Sequence, residues 1–282
     1  MFVVRSFRIL IHAARQWIAN QDSVLGAALA YYALFSIAPL LVIAIRIASF
    51  FFEEQEARME VFEQLKHLIG KEPAAFVQGL IENATQPQTG MWATVVSIVV
   101  LVVGAVSAFL HVRSALCTIW KLEAPTGNTY LGILLDYALA LLMVLITGGL
   151  LLISLAGAMV VPILRDKLKD HLANVGIHWQ LLEFGFSLLL LTLLFTAMFV
   201  VLSDRRISWR YVIYGAIVTS FLFTIGKFAL GMYLVYSSTA SVYGSAGSLV
   251  VFLIWVYYSS QILFFGAELV QARRTQKEWL GV

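Results

Sequence analysis

LLEFGFSLLLLTLLFTAMFVVL, residues 181–202, decides the fold. Its one charged residue, Glu183, lies near its start. As a helix rising ~1.5 Å per residue it covers roughly 33 Å, enough to cross the ~30 Å hydrocarbon layer of a bilayer. In that medium a run of this kind satisfies its backbone hydrogen bonds internally, as a helix. Five further runs of the same character occur, at about 24–52, 91–112, 130–164, 211–236 and 246–270. The sequence therefore predicts an all-α, polytopic membrane protein, a bundle of six transmembrane helices in one membrane domain spanning 1–282.

Composition agrees. Of 282 residues 61% are hydrophobic and 12% charged, against about 25% charged in soluble domains. The formal net charge of +3 does not mark a nucleic-acid partner, because the basic residues stand at the ends of apolar runs. They read instead as orientation signals. With the N-terminus inside, Arg5, Arg8, Arg15, Arg113, Lys121, Arg205, Arg206, Arg210, Arg273, Arg274 and Lys277 fall on the inner side. Arg58, Lys66, Lys71, Arg165, Lys167 and Lys169 fall outside. That bias predicts both termini in the cytoplasm.

Outside the spans, residues 1–20 interleave Arg5, Arg8, His12 and Arg15 with apolar residues at helical spacing. They predict an amphipathic helix along the inner membrane surface. Residues 53–90 predict an extracytoplasmic segment of two short amphipathic helices, the second starting at Pro73. Trp92, Trp120, Trp179, Trp209 and Trp279 stand at span edges, where an aromatic belt is expected.

Three stretches carry a family resemblance: QDSVLGAALAYYALFSIAPLLVIAI (21–45), LSDRRISWRYVIYGAIVTSFLFTIGKFALGMYLVY (202–236) and SVYGSAGSLVVFLIWVYYSSQILFFGAELVQARR (241–274). In this order they resemble the YihY/BrkB family of bacterial inner-membrane proteins. The resemblance implies six spans in the cell inner membrane but no agreed activity. The family has been labelled a transfer-RNA-processing ribonuclease and a virulence or serum-resistance factor, and some members are suspected of moving envelope lipids or related anions.

The residues give the ribonuclease label little support. A metal-dependent nuclease needs clustered ligands. No two of His12, His67, His111, His171 and His178 stand two to five residues apart, and no P-loop or G-x-S-x-G elbow is present. The expectation is a protein that is not an enzyme and uses no cofactor or metal.

Ionisable residues inside a span are costly, of order 2.5–3.5 kcal/mol at the centre, and mark candidate sites. Lys227 lies deep in the fifth span, where the resembled family also places a lysine, and Arg46 in the outer half of the first. Glu183 shares their depth. These three are the candidate substrate-binding residues, facing an anionic lipid headgroup or solute; snorkelling to the headgroups is the alternative. Asp136, Glu268, Arg113 and Arg210 form a candidate inner polar cluster, too distant in depth for a simple Lys227–Glu268 pair. Pro39 is a candidate hinge, because a mid-span proline frees a carbonyl and kinks the helix. Gly26 and Ala30 suit close helix contact. Residues 237–248 form a Gly/Ser-rich connection, either a broken helix or a plain hairpin.

The leading expectation is a transporter or flippase-like carrier of a lipid or other amphipathic anion, with membrane lipids as its partners. The alternative is a non-transporting scaffold for envelope proteins. The carrier reading predicts a continuous polar cavity containing Lys227; the scaffold reading predicts a dry, tightly packed centre with Arg46 and Lys227 reaching the surface. Oligomeric state is not legible in the sequence.

Overall fold

A computed structural model of the chain describes residues 2–48, 71–85, 91–122, 179–202, 207–236 and 246–280, with scattered groups of one to three residues between 53 and 66, in 137–153 and at 243. Seven described helices follow in order: α1 (Phe2–Ala19), α2 (Asp22–Ala48), α3 (Lys71–Thr85), α4 (Met91–Ile119), α5 (Trp179–Leu202), α6 (Trp209–Tyr236) and α7 (Gly247–Leu280). Among the described residues, three stretches are long and apolar enough to cross a membrane: Phe184–Leu202, Trp209–Tyr233 and Gly247–Thr275. Helices α2 and α4, at 27 and 29 residues, match them in length. Most of the expected 130–164 span, Asp136 included, and most of 237–246 lie outside the described residues.

The hub is α7, which packs against α1, α2, α3, α4 and α6, while α2 also packs on α4 and α5 on α6. Glycines bring α7 close to its neighbours. A Cβ on Gly215 would collide with Val270, and one on Gly266 with Thr219. A Cβ on Gly226 would stand 2.6 Å from the Tyr258 ring. On the other side Gly26 of α2 lies against Gln261. Backbone-to-backbone approach of this kind is how apolar helices gain packing energy where lipid removes the hydrophobic drive between them. Three buried hydroxyls of α6 are satisfied within their own helix. Thr219, Ser220 and Thr224 donate to the carbonyls of Gly215, Ala216 and Ser220 at 2.7–2.8 Å, which lets them sit in an apolar interior.

The bundle has two distinct ends. At one, Ile9 and Ala13 of α1 pack on Leu269 and Ala272 near the end of α7. Thus α1 is amphipathic as expected, but its apolar stripe is partly taken by the bundle. Arg8, His12 and Arg15 are exposed, as are Leu10, Ile11 and Ile18. At the other end, Ala74, Val77 and Ile81 of α3 form a second core with Leu65 and Phe252, against Leu34 and Trp255. The helix begins at Lys71, so Pro73 sits inside its first turn rather than opening it. It docks on α2 and α7.

Several bounds differ from the expected ones. Helix α4 continues past residue 112 to Ile119, and α7 past 270 to Leu280, because helical propensity does not stop where apolarity does. Trp120 is not an interfacial belt residue: it is 1% exposed, stacks edge-on to Phe199 and donates its indole N–H to the Ala267 carbonyl at 3.0 Å. Trp209, by contrast, is 58% exposed.

Candidate functional site

Two features carry chemistry: a cavity in the middle of the bundle and a buried polar cluster at the α1 end.

The cluster is set by two tight turns. Gln21 (φ 53°) and Lys121 (φ 52°) are the described non-glycine residues with left-handed backbone. Lys121 closes α4 in a Schellman turn, its N–H on the Thr118 carbonyl and the Leu122 N–H on that of Cys117. This swings Trp120 onto α7. Gln21 ends α1 through the Ile18 carbonyl, while its own carbonyl accepts from Val24 and Leu25 to start α2. The sharp corner places Asn20 and Asp22 against α7.

There the Asn20 amide donates to Glu268 Oε1 at 2.5 Å. Glu268 is 1% exposed, and the Lys121 charge reaches it. Asp22 is fully buried, and neither of its oxygens has a hydrogen-bond partner among the described residues. Asp22 precedes the apolar run of α2. Burial first, and then the Glu268 charge, push its carboxyl up to about 7. Arg113, on α4, is buried and partnered. Two residues earlier, His111 Nε2 lies 3.1 Å from the Leu25 carbonyl, its ring beside Tyr32.

Of the expected inner cluster, then, Glu268 and Arg113 are buried, Arg210 is exposed, and Asp136 lies outside the described residues. Asn20, Asp22 and Lys121 were not singled out from sequence. Their signal was present only as a polar pair before one span and a lysine after another, which read as ordinary flanks.

The cavity measures about 290 Å³. Its wall comes from five helices and from Met143: Leu29, Ala33 and Ser36 of α2, Ala108 and Phe109 of α4, Phe195 of α5, Phe223 of α6, and Ser260 and Leu263 of α7 are among its residues. The wall is apolar. Of its serines, Ser36 donates to the Ala33 carbonyl at 3.3 Å and Ser260 to that of Val256 at 2.7 Å, and Ser259 lines the wall with them.

The cavity is therefore not the expected polar one containing Lys227: its described wall is apolar, and Lys227 does not line it. Lys227 is half-buried on α6, four residues beyond the wall residue Phe223, with its ammonium 5.3 Å from the Phe228 ring centroid. Gly226 beside it faces Tyr258. That level is ten residues before Glu268 on α7, or roughly 15 Å along the axis, so the two groups occupy separate depths. Arg46 and Pro39 belong to α2 and Glu183 to α5, but their side chains lie outside the described residues.

A bundle of long apolar helices, knit by glycines and lining an apolar cavity that is partly open, is an α-helical integral membrane protein. Residues 13–279 match the Virulence factor BrkB family, and the chain belongs to that family. Among curated relatives it is 25% identical over 276 residues to a UPF0761 membrane protein of Rhodospirillum centenum, covering 96% of this chain and 58% of the relative. It is 28% identical over 275 residues to one of Alcanivorax borkumensis, covering 95% and 60%. A Coxiella burnetii relative is 27% identical over 273 residues, covering 94% and 93%. The chain thus spans about three-fifths of the first two relatives and nearly all of the third. No solved structure matches it.

Proposed function

We propose that this protein carries a lipid, or another amphipathic anion with a hydrocarbon chain, across or within the bacterial inner membrane, with the α1 end facing the cytoplasm. The observation that supports this reading most is the apolar cavity of about 290 Å³ among the spans. It is near the lower end of the ~300–1,000 Å³ typical of ligand pockets, and about twice the ~150 Å³ apolar cavity that takes up benzene. Such a wall favours a hydrocarbon chain over a free anion, since its described residues carry no charge and its only polar side chains are three serines. A scaffold has no use for the space and loses packing energy by keeping it.

Lys227 supplies the anionic preference. It stands one turn beyond the cavity on α6, so a chain in the cavity places a headgroup within reach of its flexible ammonium. Arg46 lies further along α2, towards the α3 end.

The test is translocation of a fluorescent phosphatidylglycerol in reconstituted vesicles. The wild type should exceed protein-free vesicles. Ala33→Trp and Ala108→Trp, which fill the cavity, should abolish the excess, and Lys227→Met should erase any preference over a phosphatidylcholine probe. No excess in the wild type, or full activity in both tryptophan variants, rejects the carrier.

A further inference from the structure

The two carboxyls at the α1 end are differently furnished. Glu268 has a donor, the Asn20 amide at 2.5 Å, and a cation, Lys121, whose charge reaches it from the end of α4. Asp22 has neither; the charge that reaches it is the like charge of Glu268. Both side chains are at most 1% exposed, and both Asp22 oxygens lack partners among the described residues. One turn on from Glu268 along α7, Gln271 is also buried, at 9% exposure, and leaves its Oε1 unpartnered. Two adjacent buried carboxylates cannot both stay ionised cheaply, and the proton goes to the one whose ionised form has less support.

We propose that Asp22 is a proton-binding group, protonated beside an ionised Glu268, and that release of this proton loosens the contact of α2 with α7. Proton uptake takes H⁺ from the aqueous phase at the α1 end and puts it on one Asp22 oxygen, converting an unpaired acceptor into a donor. Release restores a second anion next to Glu268, and repulsion acts between the start of α2 and α7. Those two helices also supply Leu29, Ala33, Ser260 and Leu263 to the cavity wall. The proton site therefore sits on the same helix pair as the cavity, about two turns from Leu29. Coupling to substrate movement rests on the carrier reading; the proton site itself does not.

Infrared difference spectroscopy of the full chain in detergent tests it. The wild type should show a protonated-carboxyl band that disappears as pH rises through about 7, and Asp22→Asn should lose it. Glu268→Gln removes the like charge, so the midpoint should move to lower pH. The thermal midpoint should follow the same group. The proton is held more tightly folded than unfolded, so wild-type stability is greatest at low pH and falls as pH rises from 3.8 through about 7. The Asp22→Asn protein should show a flatter profile.

A wild-type band unchanged by Asp22→Asn overturns the proposal. If that variant does not fold, an unmoved midpoint in Glu268→Gln overturns it equally. A titrating Asp22 in a protein that fails the vesicle assay rejects the carrier and keeps the proton site; active translocation without the band does the reverse.

Discussion

Replacing Gly266 by alanine should open the bundle at its tightest seam. A Cβ there collides with Thr219 Oγ1 and stands 3.0 Å from Thr219 Cβ and 3.2 Å from its Cγ2, where carbon–carbon contacts prefer ~3.5–4.0 Å. Thr219 cannot easily give way. It is β-branched, fully buried, and donates to the Gly215 carbonyl at 2.7 Å. Overpacking costs about 1–3 kcal/mol, and disturbing the hydroxyl's hydrogen bond about 1 more. The sum of roughly 2–4 kcal/mol corresponds to a fall of roughly 5–15 °C in apparent Tm for a chain of this size. The measurement is retention of the monodisperse peak in size-exclusion chromatography after heating in detergent. Gly231→Ala, on α6 and with nothing within 4 Å of its added carbon, is the control and should be neutral or slightly stabilising, by up to ~1 kcal/mol. Thr219→Ala removes both Oγ1 and Cγ2, so the double variant should recover most of the loss, with a coupling energy of at least ~1 kcal/mol. The close approach of α6 to α7 is refuted if Gly266→Ala behaves like Gly231→Ala, or if it costs as much in the Thr219→Ala background as alone.

Two further perturbations address other parts of the molecule. Trp120→Phe keeps most of the packing on Phe199 but leaves the Ala267 carbonyl without its indole donor; it should lower thermal stability by about 1 kcal/mol, and an unchanged midpoint means the indole N–H is not buried on α7. With Cys117, the single cysteine, replaced by serine, single cysteines at exposed Ile18 and Glu82 should be labelled by an impermeant thiol reagent from opposite faces of the membrane, Glu82→Cys from the periplasmic one. Labelling of both from one face contradicts the two-ended bundle.

Much of the architecture was legible in the chain. Runs such as 181–202 require a helix in hydrocarbon whatever surrounds them, because no water is present to satisfy the backbone. The amphipathic pattern of 1–20 and the apolar spacing in 62–81 likewise follow from helical periodicity, and both segments contain helix. Gly26, read as a small residue for close contact, does meet α7. The candidate site was less legible. Depth along a span can be counted from its ends, and that count separates Lys227 from Glu268 as the structure does. Direction around a helix cannot be counted in a run that is apolar on every face. Phe223 and Ser260 therefore looked like any other span residues until the cavity joined them.

What the sequence determined alone is the medium and the element: apolar runs of bilayer length, a charge bias between their ends, and the family to which the order of stretches belongs. Only the tertiary structure decided that Asp22 and Glu268, 246 positions apart, share one buried corner, and that Trp120 leaves the interface for the core. The reason is physical. Transfer into a bilayer is a sum over residues, readable one run at a time, whereas burial of a charge depends on which backbone turns, here those at Gln21 and Lys121, bring distant side chains together.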